Sequence, residues 1–507
     1  MLIGKIGFTD WFALCDDARR TTRCVARSSQ RKTSRDMTRA LSLTVWSLLV
    51  AALAGGVLLW AAPVQAWALG PLRLDALTFL LAAAVTFVSG IVHAFSLRYM
   101  DGAKRLDGFF GRLTGLTLVV LLLIAADHVL LFALAWAGMG WLLADLIGHL
   151  RAWPQARAAA GLSRVWFAIG SVALATGLAA LAIATGETSI HAIVAAAPTL
   201  DAATLGIALL PLVLAAAIQC GLWPFQGWLL SSMTAPTPVS AFMHAGLVNA
   251  GGILLARFAP AVSAQAEIMA LVFLLGAASA LIGSLFALVQ SDIKRGLAAS
   301  TVAQMGFMVM QCGLGFYAAA MAHLILHGLF KASLFLGAGS AVRRIAPEPV
   351  KPGLDGLGLA VCIPAALLAG GLFAWVSGKS VWPADSGALL VVFAVLAAAQ
   401  AALSLRGWSH VRLAVRLIAI PAVLALAGLV YGATVALAET LLAGVPGTTA
   451  PQPIGALGVG VALVFAAAWL AVAAGLHRNS AWLYARLLSA AQPAASTVTD
   501  RREAYRV

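Results

Sequence analysis

From Leu41 to His477 the chain is a succession of long apolar runs separated by short polar loops. A run of that kind admits few structures. Inside a bilayer every backbone N–H and C=O must find a partner within the protein, so each run must be a helix or part of a closed barrel. The runs have the length an α-helix needs to cross about 30 Å of hydrocarbon. About fourteen are expected, near 41–61, 76–96, 113–126, 129–149, 165–183, 204–220, 238–258, 267–290, 297–315, 316–341, 358–378, 387–405, 414–436 and 456–476. The expected fold class is an all-α polytopic membrane protein. Composition agrees: 62% of 507 residues are hydrophobic and 10% charged, a balance far from that of soluble domains.

The net charge of +14 does not point to nucleic acid, because the basic residues sit where membrane topology puts them. Arg98, Lys104, Arg105 and Arg112 follow the second span, Arg151, Arg157 and Arg164 the fourth, and Lys294 and Arg295 the eighth. Arg343, Arg344 and Lys351 follow the tenth, and Arg406 and Arg412 the twelfth. The loops after spans 3, 5, 9 and 13 lack Lys and Arg. The even count and the charge bias place both termini in the cytoplasm, with Arg257 and Lys379 as exceptions to the rule. Residues 1–40 are basic and Ser/Thr-rich, without the apolar core of a signal peptide. They read either as a disordered tail or as sequence upstream of a start at Met37, which lies four residues before the first apolar run. Residues 477–507 read as a polar cytoplasmic tail. The five cysteines form no CxxC pair, and there is no GxGxxG or GxxxxGK[ST]. No cofactor, no resident metal and no catalytic chemistry are expected in this chain.

Two stretches interrupt the helical pattern. Residues 221–246 carry Pro224, Pro236 and Pro238 among small polar residues. Residues 362–380 carry Pro364, the Gly370–Gly371 pair and Lys379. Each falls in the fourth span of a five-span block, 113–258 and 267–405. Matching interruptions in two halves are a mark of repeat-built transporters, and an odd number of spans makes the repeats inverted.

Ionisable residues at membrane depth are costly, so each needs a partner, a water-filled cavity or a function. His323, His327 and Lys331 stand at i, i+4 and i+8 of one apolar helix and share a face. Three in register suggest a proton path; the competing reading is polar groups that only hold helices together. Lys can release its proton, whereas the Arg guanidinium stays charged. His244 and Asn249 follow the first interruption and Gln219 precedes it; Asp145 and His149 are paired at i and i+4. Asp75, Asp127, His128 and the Gln290–Asp292 segment read as caps and turns.

Three stretches are specific: PFQGWLLSSMTAPTPVSAFMHAG from Pro224, SDIKRGLAASTVAQMGFM from Ser291 and HLILHGLFKASLFLGAGS from His323. They resemble the large antiporter-like subunits of NADH:quinone oxidoreductase and the Mrp-type cation/proton antiporters. That resemblance implies two inverted five-helix repeats, each with a discontinuous helix, and a proton path through His244, His323, His327, Lys331 and Lys379. Two positions depart from the family pattern. Its first-half glutamate is Ala137 here, within Trp136–Ala137–Gly138, and its first broken-helix lysine is Gln219. Asp145, two turns beyond Ala137, is a candidate to substitute in part for the carboxylate. With HAGLVNAGGILLARFAP and STVAQMGFMVMQCGLG, the departures resemble the DabB subunits of two-component inorganic-carbon transporters. This implies a proton- or cation-driven membrane half paired with a zinc-bearing, carbonic-anhydrase-like DabA subunit that handles CO2 or bicarbonate. The alternatives are a proton-translocating subunit of a respiratory or hydrogenase complex, a cation/proton antiporter, or a membrane anchor that no longer translocates.

Overall fold

The computed structural model describes residues 8–340, 356–382, 385–406 and 413–498. The basic residues Arg343, Arg344, Lys351 and Arg412 lie outside these. Helix α1 spans Phe8–Ala61, followed by a small antiparallel hairpin, β1 Ala66–Leu69 and β2 Leu72–Asp75. Then come α2 (Ala76–Tyr99), α3 (Leu106–Ala125), α4 (Val129–Ile147), α5 (Pro154–Thr185), the short α6 (Ile190–Ala196) and α7 (Ala202–Gln219). Next are the fragments α8 (Gly227–Ser231), α9 (Thr237–Phe242), α10 (Ala250–Arg257) and α11 (Ala259–Ser263). The second half holds α12 (Ala266–Val289), α13 (Ile293–Gly313), α14 (Tyr317–Gly337), α15 (Gly356–Ser377), α16 (Ser386–Arg406), α17 (Leu413–Leu441) and α18 (Ala456–Ala473). Two small helices, α19 (Leu476–Asn479) and α20 (Ala481–Ala490), close the chain.

The protein is a multi-pass membrane protein, but the count of fourteen is not reproduced. Twelve helices among the described residues are long and apolar enough to cross a membrane. Of the expected spans, α13 is missing from that set, diluted by its glycines, Gln304 and Gln311, and α15 is represented by the shorter apolar helix Val361–Ser377. The ends of the chain also differ from expectation. Residues 8–40 are helical and continuous with the first span, not a disordered tail. The C-terminal segment is no free tail: Leu487, Leu488 and Ala491 pack against Leu230, Phe286 and Ala298. The Ala494 amide donates to Ser231 Oγ at 3.3 Å, so the segment seats under the interrupted region. Its sequence AWLYARLLSA carries enough apolar residues to bury one side, which a reading by polarity passes over.

The caps form as expected. Asp75 accepts from the Thr78 amide, His128 from the Leu130 amide and Asp292 from the Arg295 amide. Asp127 accepts from Ser189 Oγ and the His191 amide, tying α4 to α6. Arg257, an exception to the charge rule, is explained here: its guanidinium pairs with Asp75 and donates to Ile124 O at 2.9 Å. Burial pushes the Asp75 carboxyl up, but Arg257 and the two Thr78 hydrogen bonds outweigh it and hold the group below the usual range. That stabilisation is present at neutral pH and is lost only in acid, as pH falls through the depressed native value.

The two expected interruptions fare differently. After Gln219 the chain leaves helix, passes Pro224 in a loop, and re-enters through α8 and a 3-10 turn at Ser232–Thr234. Pro236 stands at the N-cap of α9 and Pro238 in its first turn, where a missing N–H costs nothing. The helix then widens into a π turn at Met243–Leu247 before α10. The second stretch, by contrast, runs unbroken through Pro364 and ends at Ser377, with Gly378 at φ +68° and Lys379 just beyond. Its glycine serves close packing instead: a Cβ on Gly370 would meet Val395 at 2.2 Å.

Close packing also fixes α12 on α13. A Cβ on Gly276, Gly283, Gly306 or Gly313 would lie 2.4 Å from a backbone nitrogen of the facing helix. Small residues are how membrane helices approach closely enough for dispersion to act. Overpacking of this kind typically costs about 1–3 kcal/mol. Gly306→Val therefore lowers the melting temperature of the detergent-purified protein, while Gly161→Ala, with nothing within 4 Å of the new Cβ, does not. Arg257→Leu leaves Asp75 charged and unpaired; such losses cost about 3–5 kcal/mol. Adding Asp75→Asn to that variant restores part of the loss in the same melting measurement, because no unpaired charge remains.

Candidate functional site

The site lies where α14 meets the π turn and α13. His323, His327 and Lys331 are all buried on α14. The two imidazoles lie nearly parallel, 16° between planes and 6.0 Å between centroids, and Phe307 of α13 flanks His323 at 5.4 Å. Lys331 Nζ donates to Leu297 O at 2.9 Å and to Ser300 Oγ, both on α13. None of the ion pairs among the described residues involves Lys331. Its ammonium is therefore held by neutral oxygens.

His244 arrives from the π turn. Its ring stacks on Phe335, one turn beyond Lys331, at 4.4 Å and 14°. The approach is possible because residue 328 is glycine: a Cβ there would lie 2.5 Å from Ala245 O. His244 Nδ1 is 3.1 Å from Thr301 Oγ1, whose hydroxyl donates to Leu297 O at 2.9 Å. With the Thr301 proton committed to that carbonyl, Oγ1 accepts from Nδ1–H, which assigns the tautomer and leaves His244 Nε2 as an acceptor. One carbonyl, Leu297 O, thus joins His244–Thr301 on one side to Lys331 on the other. The Nε2 atoms of His244, His323 and His327 are buried without a protein partner.

Gln219 and Asn249 serve the π turn. Gln219 Nε2 donates to Leu247 O at 3.1 Å and Asn249 Nδ2 to Ala245 O at 2.9 Å, occupying carbonyls of the widened turn and its flank. Gln219 thereby ties the end of α7 to the segment that positions His244. Asp145 and His149 belong to a different cluster, at one end of the bundle. Asp145 pairs with Arg112 at 2.5 Å, Arg164 at 3.4 Å and Arg151 at 3.5 Å. His149 Nδ1 lies 3.1 Å from an Arg112 nitrogen, and burial together with that guanidinium holds its pKa below the usual histidine range. It is a neutral acceptor there.

Lys379 pairs with Glu439 at 2.5 Å and lies 4.7 Å over the Phe316 ring. Glu439 was not singled out by sequence reasoning, although it is the only carboxylate in the sequence of α17. Ser300 and Thr301 were missed too; small hydroxyls in a helix give no signal until their partners are in place. The same holds for His93 on α2, whose Nε2 is 3.0 Å from Thr114 Oγ1 and whose Nδ1 lies 2.8 Å from Ser89 O. Between α12–α13 and α15–α18 lies a cavity of about 630 Å3, lined by His323, Ser300, Gln304, Phe307, Phe373 and Tyr431 among others. Among the described residues no group of three His, Cys, Asp or Glu side chains could hold a metal ion.

Residues 126–377 match the family model described as NADH:quinone oxidoreductase/Mrp antiporter, TM, and residues 70–110 that described as NADH-Ubiquinone oxidoreductase (complex I), chain 5 N-terminus. The chain is 43% identical over 280 residues to a protein of Bacillus anthracis named probable inorganic carbon transporter subunit DabB, a match covering 54% of each. Against the first such relatives, the match spans about half of their length. It is 33% identical over 386 residues to the probable inorganic carbon transporter subunit DabB2 of Halothiobacillus neapolitanus, covering 75% of this chain and 69% of the relative. Among solved structures, a chain of the Mrp complex from Dietzia sp. DQ12-45-1b superposes with a TM-score of 0.64 at 25% identity, over 92% of this chain and 56% of that one. The chain belongs to the antiporter-like subunit family of NADH:quinone oxidoreductase and the Mrp antiporters, among its DabB-type members.

Proposed function

We propose that this antiporter-like membrane subunit is the energy-coupling half of an inorganic-carbon uptake complex, and that protons move along His244, Lys331, His327, His323 and Lys379. The observation that carries the reading is the bridge His244–Thr301–Leu297 O–Lys331, continued by the stacked imidazoles. Neutral oxygens solvate the ammonium without trapping it in an ion pair, so the lysine can give up and regain its proton. Each histidine offers an unengaged Nε2 within the row. Imidazole suits relay work because its two nitrogens exchange donor and acceptor roles. Asp145, bound by three arginines, lies in a separate cluster and is not part of this row. The partner in this reading is a zinc-bearing, carbonic-anhydrase-like subunit of the DabA type, which handles CO2 or bicarbonate. The names of the DabB relatives support that choice over the second reading, a proton-translocating subunit of a respiratory, hydrogenase or antiporter complex. The Mrp likeness supports the second.

Lys331→Arg keeps a donor for Leu297 O but cannot release a proton. In a cell unable to take up carbon otherwise, the variant assembles with its partner yet supports less than about a tenth of wild-type uptake at ambient CO2, a loss equivalent to at least ~1.4 kcal/mol. Full growth with normal assembly would show that Lys331 is only structural. In the proposed topology the chain sits in the bacterial plasma membrane with both termini cytoplasmic, and Arg257 and Lys379 face the other side as ion-paired exceptions. Single cysteines at Lys104 and Gly444, in a chain lacking Cys15 and Cys24, then label from opposite sides of the membrane. Labelling from one side overturns the assignment.

A further inference from the structure

The row on α14 needs an outlet. His323 stands about 10 Å along the helix from Phe316, the residue that precedes it. The Phe316 ring lies against Lys379 Nζ at 4.7 Å, and Lys379 in turn bonds Glu439 Oε1 at 2.5 Å. The start of α14, the end of α15 and the end of α17 therefore meet at one face of the bundle. The pair is graded in exposure: the Lys379 side chain is 10% exposed and that of Glu439 23%. The lysine faces the protein and the carboxylate faces out. Asp385, beside Phe316, is already engaged with the Gly387 amide at 2.8 Å. Between His323 and this pair, Tyr431 Oη accepts from Gln311 Nε2 at 2.9 Å. His323 and Tyr431 line the same 630 Å3 cavity; Lys379 and Glu439 are not among its lining residues, so the route from the cavity to the pair runs by way of Tyr431 and Gln311. Tyr431 and Glu439 lie two turns apart on α17.

We propose that Glu439 is the outlet carboxylate of the row. The step is a proton transfer: the Lys379 Nζ–H bond breaks and an O–H bond forms on Glu439 Oε1, leaving a neutral amine and a neutral carboxylic acid. The acid then loses its proton to the aqueous phase, and the amine is reprotonated from the His323 side. The inference rests on the proton-path reading and adds an acid to it. It also gives the second half a Lys–Glu pair, where the first half has Gln219 and Ala137 in place of one.

The test uses sealed vesicles holding the full complex, an imposed pH gradient and a pH-sensitive dye, with assembled complex quantified alongside. Glu439→Gln keeps an oxygen acceptor for Lys379 but carries no proton; Lys379→Arg keeps the ion pair but releases none. Both should slow gradient decay at least tenfold at normal assembly, while Glu439→Asp retains the acid and most of the rate. A purely structural pair would instead leave Lys379→Arg at the wild-type rate, which overturns the proposal, as does a wild-type rate in Glu439→Gln. If Glu439→Gln fails to assemble, Lys379→Arg decides. Wild-type vesicles that do not discharge the gradient overturn the proton path itself, a result distinct from an active wild type with indifferent variants.

Discussion

The structure depends on how one buried cation is solvated. Lys331 sits in the interior of an apolar bundle, where a bare ammonium is prohibitive. A carboxylate would neutralise it, but at this depth a proton passed to that carboxylate would have no water to leave to, unlike one passed to the part-exposed Glu439. The chain instead offers a backbone carbonyl, Leu297 O, and a hydroxyl, Ser300 Oγ. That solution demands that α13 and α14 stay in register, since a shift of one residue would put a different carbonyl opposite the amine. The glycine-mediated contact between α12 and α13 anchors one side of this register, and Gly328 admits the π turn to the other.

The π turn is the second consequence. Widening a helix at Met243–Leu247 frees carbonyls, and in hydrocarbon these cannot be left to water. Gln219 and Asn249 occupy two of them with their amide donors. Gln219 is thus integrated into the scaffold that aims His244. Two kinds of polar group meet at this turn: amides that satisfy the bent backbone, and the His244 imidazole, whose Nε2 has no protein partner.

Among the described residues, the part-buried ion pairs lie near the ends of helices. Asp75–Arg257 and Lys379–Glu439 sit near helix termini, and Asp145 gathers its three arginines just beyond the C-terminal part of α4. There, water and headgroups lower the cost of a charge that the middle of the bilayer would impose. The two basic residues that break the charge rule, Arg257 and Lys379, are paired with Asp75, which is buried, and Glu439, which is half-buried.

Several properties were legible in the residues alone. Apolar run length forces helices, so the helical class and nearly every helix position follow from local composition. The i, i+4, i+8 spacing of His323, His327 and Lys331 puts them on one face whatever surrounds them. Proline placement located the first interruption, because a missing N–H acts locally. What needed the tertiary structure was every relation between distant segments. Pro364 and Gly370–Gly371 looked like a break, yet the glycine accommodates Val395, a neighbour no local pattern reveals. The three arginines that converge on Asp145 come from separate segments, and no local pattern around Asp145 and His149 announces them. Thr301, Ser300 and Glu439 acquire roles only through partners 30 to 60 residues away. Local sequence sets which groups a helix must bury; only the packed bundle decides what each buried group meets, because in hydrocarbon a partner can come from nowhere but another part of the chain or its complex.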